Sequence, residues 1–285
     1  MDVNIISIIS TYTYLYIDIS TYINLIKTCK YLFNTNVINI KEFNEYWKYN
    51  YYMLHKTKKY DHKFKIKLNK LRNKKLLQLL YNGIKIINGL DTFINLEELY
   101  LENNLLTTIH GLNYLINLKM LNLSNNRIQK IENLNNLINL QILYLDNNKI
   151  KEVKGLENLI NLRYLKISNN ELFEIKGLDN LSKLKILDLS ENLIIEINGL
   201  DNLNNLEELF LKDNSIFKID GLNNLIKLKK LVLDNNLIIE TTGLEKCKSL
   251  KILTLNNNLI KKIEGLSDLK LEKLHLLNNK ITEKI

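Results

Sequence analysis

Histidine, cysteine and acidic side chains do most metal, nucleophilic and acid–base chemistry, and here they are scattered. The four histidines, His55, His62, His110 and His275, show no metal-ligand spacing such as HExxH. Cys29 and Cys247 lie far apart and form neither a disulfide framework nor a zinc-spaced cluster. Cys247 occupies a phase filled elsewhere by Leu203 and Leu225, which makes it a packing residue, and Cys29 reads as a buried helix residue. The acids of "NLEELYL" and "NLEELFL" are adjacent, so on a strand they face opposite sides and cannot converge. These patterns predict no enzyme, no cofactor, no metal and no small-molecule substrate. The chemistry left is recognition, and its candidates recur at a fixed interval: Tyr100, Met120, Ile142, Tyr144, Tyr164, Lys166, Ile186, Asp188 and Phe210.

The element that positions them repeats every 22 residues. The first Leu of "LxxLxLxxN" falls at Leu96, Leu118, Leu140, Leu162, Leu184, Leu206, Leu228 and Leu250. A further copy starts one residue early at Leu271, and a worn copy with Leu77, Leu79, Asn82, Ile84, Ile87 and Gly89 precedes them all. Alternating apolar residues in "LNLSNN" and "LYLDNN" predict a short strand with one buried face. The closing Asn of each copy (Asn104 through Asn279) must turn inward. A buried amide persists only when hydrogen-bonded, so a ladder to backbone groups of adjacent turns is expected. Eight of nine glycines share one phase, which implies a positive φ or no room for a Cβ. Asn133 is the departure, and Asn tolerates a left-handed backbone next best.

One copy cannot bury its Leu face alone, whereas stacked copies share a core. The strands then form a parallel sheet on the concave side, with short irregular or helical returns. Over residues 74–285 the pattern resembles the leucine-rich repeats, in particular the 22-residue class of a regulatory subunit of protein phosphatase 1. The resemblance implies an α/β solenoid of about ten repeats that binds a protein. The candidates above sit at outward strand positions, with Glu98, Glu102 and Asp146 as polar neighbours. Exposed aromatics and Met bury large area at small entropic cost.

Residues 1–54 follow a different grammar. Apolar residues at three- and four-residue spacing predict three short amphipathic helices, marked by Ile5, Ile8, Ile9 and Tyr12, by Ile23, Ile26, Cys29 and Phe33, and by Phe43, Trp47, Tyr51 and Leu54. The segment "LIKTCKYLFN" and Trp47 resemble the F-box, a three-helix adaptor module, although its usual Leu-Pro opening is absent. That resemblance implies a substrate receptor of an SCF ubiquitin ligase that docks on a Skp-type linker, with Ile5, Ile9, Leu25, Ile26, Tyr31 and Leu32 as candidate linker contacts. The alternative is a repeat scaffold, or a phosphatase-regulator type of protein, whose head only caps the solenoid.

Residues 55–73 form a basic joint. Between Lys48 and Lys75 eleven Lys/Arg face one acid, Asp61, so this stretch carries +10 and the remainder of the +9 chain sums to −1. Strict alternation in "KFKIKL" predicts a strand with solvent-facing lysines. Such a cluster also fits an acidic partner, nucleic acid or a membrane surface, but no nucleic-acid recognition motif accompanies it. Absence of Pro and Ala alongside abundant Asn, Ile, Lys and Tyr points to an AT-rich genome. No membrane span or signal peptide is visible and cysteine is sparse, so a cytoplasmic location is expected. The last repeat carries no distinct polar cap, which predicts fraying, an oligomer contact or coverage by a partner.

Overall fold

The computed structural model describes residues 73–282, apart from 88, 89 and 92. The expected helical head, the basic joint with its strand, and Gly89 lie outside the described residues. Ten three-residue strands follow one another: β1 Leu76–Gln78, β2 Glu98–Tyr100, β3 Met120–Asn122, β4 Ile142–Tyr144, β5 Tyr164–Lys166, β6 Ile186–Asp188, β7 Glu208–Phe210, β8 Lys230–Val232, β9 Ile252–Thr254 and β10 Lys273–His275. They pair in parallel in chain order, each with the next. Coil n is taken to begin at strand βn, so ten strands bound nine full coils of a solenoid. The register steps by 22 residues, as in Leu99↔Leu121, until Leu274 pairs with Leu253, which places the missing residue of the last repeat in the return of coil 9.

Each strand is short because its ends are set by the residues around it. From β2 to β9 the central Leu (Leu99 through Leu253) is fully buried and both flanking residues are half-exposed, whereas in β10 all three residues are exposed. Three residues later the chain turns. The first Asn of each "NN" pair takes a left-handed backbone: Asn103, Asn125, Asn147 and Asn169 have φ between 51° and 58°. The second Asn turns inward as predicted. Asn170 accepts from the Ile150 N–H through Oδ1 (2.9 Å), and its Nδ2 donates to Leu145 of the coil before (3.0 Å) and to Ser168 of its own coil (3.0 Å). The same bonds recur at Asn104, Asn126, Asn148, Asn192, Asn214, Asn236 and Asn258, so carbonyls that water cannot reach are satisfied.

The returns hold no helix among the described residues, which corrects the α/β expectation there to a solenoid of strands and turns. Leu112, Leu115 and Leu118 all point into the core, and the backbone joins them by successive three-residue turns, Leu115 N–H to Leu112 O and Leu118 N–H to Leu115 O, both 3.0 Å. A three-residue inward period is met by turns of that size, whereas an α-helix of 3.6 residues per turn would rotate the third Leu away. The glycine phase behaves as expected. Gly177 has φ +76°, and a Cβ there would stand 2.0 Å from the Val153 carbonyl oxygen of the preceding coil. At the same phase Asn133 has φ 59°, and its Nδ2 donates to the Ile109 carbonyl at 2.6 Å, so the crowding carbonyl becomes a hydrogen-bond partner.

The core is one column of Leu and Ile running the length of the solenoid. Cys247 is wholly buried in it, at the phase where other coils place Leu. Burial pushes its thiol up to about 11, with Glu245 adding to the rise, so at neutral pH it is a protonated packing residue.

Candidate functional site: the sheet face

Because side chains alternate along a strand, the two residues flanking each buried Leu point away from the core. Parallel pairing in constant register then lines them up in columns. The first column runs Glu98, Met120, Ile142, Tyr164, Ile186, Glu208, Lys230 and Ile252. The second runs Tyr100, Asn122, Tyr144, Lys166, Asp188, Phe210, Val232 and Thr254. All nine candidate contact residues fall in these two columns. A third column follows two residues beyond, with Glu102, Ser124, Asp146, Ser168, Ser190, Lys212 and Asp234. The six head residues, Ile5, Ile9, Leu25, Ile26, Tyr31 and Leu32, lie outside the described residues.

Over coils 2–6 the face is aromatic and acidic. The Tyr144 and Tyr164 rings meet at 5.2 Å between centroids, tilted by 50°. Tyr100 donates its hydroxyl to Glu98 Oε2 at 3.1 Å. Ser124 donates to Asp146 Oδ1 (2.7 Å), Asn147 donates to Asp146 Oδ2 (2.9 Å), and Lys166 lies 3.7 Å from that second oxygen. Glu102 is less well served: its Oε2 is buried and accepts no hydrogen bond. The local field shows in the acidities. Burial raises the Glu102 carboxyl above its usual range, and the Asp146 charge adds to the rise. Tyr164 is pushed up to about 12, first by burial and then by Tyr144, Asp188, Asp146 and Glu208. Burial, helped by Glu98, raises Tyr100 in the same direction.

Over coils 7–9 the face carries equal numbers of acids and bases, Glu208 and Asp234 with Lys212 and Lys230. Lys230 stands over the Phe210 ring, 4.6 Å from its centroid. Asp234 accepts from Thr254 Oγ1 and from the Asn256 N–H at 2.8 Å.

Ahead of the strands runs a row of charges. Glu97 is held between Lys75 (2.7 Å) and Lys119 (2.6 Å), and Glu207 between Lys185 (2.9 Å) and Lys229 (2.7 Å). Hydrogen bonds from the flanking lysines, Lys119 and Lys75 for one and Lys229 and Lys185 for the other, hold each carboxyl down at about 2.

One apolar feature escaped the sequence reading. Just past the Asn turn, coils 5–8 expose Phe173, Ile195, Phe217 and Ile239 at one repeat phase, with Leu193 and Leu237 two residues before that phase. The signal was a column: at that phase coils 2–4 carry Thr107, Gln129 and Lys151. Among the described residues no group of three or more His, Cys, Asp or Glu is placed to hold a metal ion.

Comparison with known proteins agrees with this architecture. The family described as "Leucine Rich repeats (2 copies)" matches residues 116–158. The chain is similar to a crystal structure of internalin C2 from Listeria monocytogenes (25% identity, TM-score 0.59, covering 73% of this chain and 83% of that one). It is also similar to an internalin, inlF, of the same organism (26% identity, TM-score 0.50, covering 74% and 76%). Likeness to the leucine-rich repeat domain of APL1B (23% identity, TM-score 0.64, covering 79% and 68%) concerns the fold alone. No curated protein matches the chain in sequence. The repeats are leucine-rich repeats, and the solenoid they build is a scaffold suited to binding proteins.

Proposed function

We propose that this chain is a non-catalytic adaptor that holds a protein ligand on the sheet face of coils 2–6, the side expected to be concave. The observation that carries the reading is the contiguity of Tyr100, Met120, Ile142, Tyr144, Tyr164 and Ile186 on adjacent strands of a hydrogen-bonded frame, each half-exposed. Aromatic side chains held this way bury much area on binding and lose little entropy. The test places a photo-crosslinking aromatic residue at Ile142, in the middle of this patch, and at Ile252, the same column on coil 9. A protein cross-linked from Ile142 and competed away by uncross-linked wild type, but absent from Ile252, supports the reading. Equal yield from both positions, or none from Ile142, ends it.

A finer reading adds the head. The likeness of residues 1–54 to an F-box supports a substrate receptor of an SCF ubiquitin ligase, acting in the cytoplasm, with Ile5, Ile9, Leu25, Ile26, Tyr31 and Leu32 as linker contacts. Purified full-length protein is expected to bind a recombinant Skp-type linker, and a folded Leu25→Asp, Tyr31→Asp variant is expected not to. If wild type fails to bind the linker, the head is left as a cap and the chain as a plain repeat scaffold of the phosphatase-regulator kind.

A further inference from the structure

The sheet face of coils 2–6 carries four acids, Glu98, Glu102, Asp146 and Asp188, against one base, Lys166. That lysine is engaged with Asp146 at 3.7 Å. Glu98, Glu102 and Asp188 have no ion-pair partner among the described residues. A chain of net charge +9 therefore turns a face of net −3 toward its ligand. Within that face coil 3 is a notch. Its second and third columns hold only Asn122 and Ser124, between Tyr100 and Glu102 on one side and Tyr144 and Asp146 on the other. Asn122 folds back, its Oδ1 accepting the Ser124 N–H at 3.0 Å, so the floor is short and already satisfied. Tyr100 and Tyr144 rise from strands two steps, or roughly 9.6 Å, apart, so a group seated over β3 lies about 4.8 Å from each strand. Rings rising from those two strands flank that position, and an aromatic face attracts a cation within roughly 6 Å of its centroid.

Resting on the proposed function, we infer that this notch takes one arginine or lysine side chain of the protein partner, seated between Tyr100 and Tyr144 and bonded to Glu102. Glu102 suits the task because Oε2 has no hydrogen bond to give up when the carboxylate turns toward an incoming donor. Across the notch Asp146 already accepts from Ser124 and Asn147, so it supplies charge more than an open acceptor. A cationic side chain also relieves the mutual repulsion of these carboxylates, which no residue within the described chain does at Glu102.

The test selects binders to the full-length protein from a display library of random 12-residue peptides and measures one synthetic binder by calorimetry. Most selected peptides are expected to carry an Arg or Lys, and replacing that residue by Gln in the synthetic peptide is expected to weaken binding at least tenfold. On the protein side, Glu102→Gln is expected to weaken it three- to tenfold while melting no lower than wild type. A merely structural Glu102 would lower the melting temperature instead, and that result overturns its assigned role. Peptides without basic residues that still lose binding on Tyr144→Ser overturn the cation and leave the face reading standing. Peptides indifferent to both Tyr100→Ser and Tyr144→Ser overturn both. Binders that appear only with a Lys63→Gln, Lys65→Gln, Lys67→Gln variant would show the chain's own basic segment in the notch, against a partner's. An empty selection from both proteins counts against the notch and the face alike.

Discussion

Coils 2–6 and coils 7–9 share one frame and differ in what they lay on it. Leu99 and Leu209 are equally buried, and Asn126 and Asn236 make the same bonds to the coil before and to their own. On the sheet, coils 2–6 present three tyrosines and a net charge of −3, whereas coils 7–9 set Glu208 and Asp234 against Lys212 and Lys230 and sum to zero. In the second group Asp234 accepts from Thr254 and from the Asn256 N–H, and Lys230 stands over the Phe210 ring. In the first, Glu102 keeps an unpartnered buried oxygen. A buried polar atom without a partner is the exception in a folded chain, and it falls in the region proposed to hold the ligand.

The largest effect should ignore the difference between the halves. Asn170→Ala and Asn236→Ala each remove one amide that serves a buried N–H and several carbonyls, and each is expected to cost about 3 kcal/mol in denaturant unfolding. Costs that differ by more than about 2 kcal/mol would show that the two frames are not equivalent. The next effect should expose the difference. Tyr144→Ser is expected to weaken ligand binding about tenfold, or about 1.4 kcal/mol, while Val232→Ser in the same column changes it less than about twofold. Equal losses from the two would erase the distinction between the halves.

Smaller still is a repair at the join. Glu191 sits at φ 55°, where coils 2–5 use Asn. Glu191→Asn is expected to stabilise by about 0.5 kcal/mol, read as a rise in thermal midpoint, because Asn enters the left-handed region at lower cost. The smallest effect concerns Glu97 and Glu207, which stand just ahead of β2 and β7, the first strand of each group. Both are held near 2 against an ordinary 4.5, so what they contribute is present above about pH 4.5 and is lost as pH falls toward 2. Both are partly exposed and paired with exposed lysines, so the loss is slight and screened by salt. A Glu97→Gln, Glu207→Gln variant should show a flatter midpoint-against-pH curve in that window, and an unchanged slope would refute the assignment.

The comparison also shows where sequence reading succeeds. The phase of Leu96 through Leu250 led directly to the core, to the inward Asn ladder, to the glycine position and to the two outward columns. Asn133 was legible as a left-handed residue because glycine stood there in the other coils. The abundance of Asn was not legible. In composition it reads as codon bias, but the solenoid employs it at four phases. Asn103 and its equivalents take positive φ, and Asn104 and its equivalents form the inner ladder. Asn117, Asn139 and Asn161 donate to carbonyls of the preceding return, and so do Asn136, Asn158 and Asn180 at another phase. Only contacts between residues about 20–25 apart distinguish these roles, and a linear pattern shows the recurrence without the partner.

By itself the sequence determined the period, the buried column and which side chains face outward, because each follows from local alternation and from stacking identical units. Tertiary structure decided how those outward groups pair. By register Lys166 stands directly opposite Asp188, with Asp146 on the other side two residues beyond its partner Tyr144, yet it engages Asp146, and Glu102 is left with an open oxygen. Such choices are settled by competition among neighbours on adjacent coils for the same donors, at distances of a few ångströms that no spacing along the chain encodes.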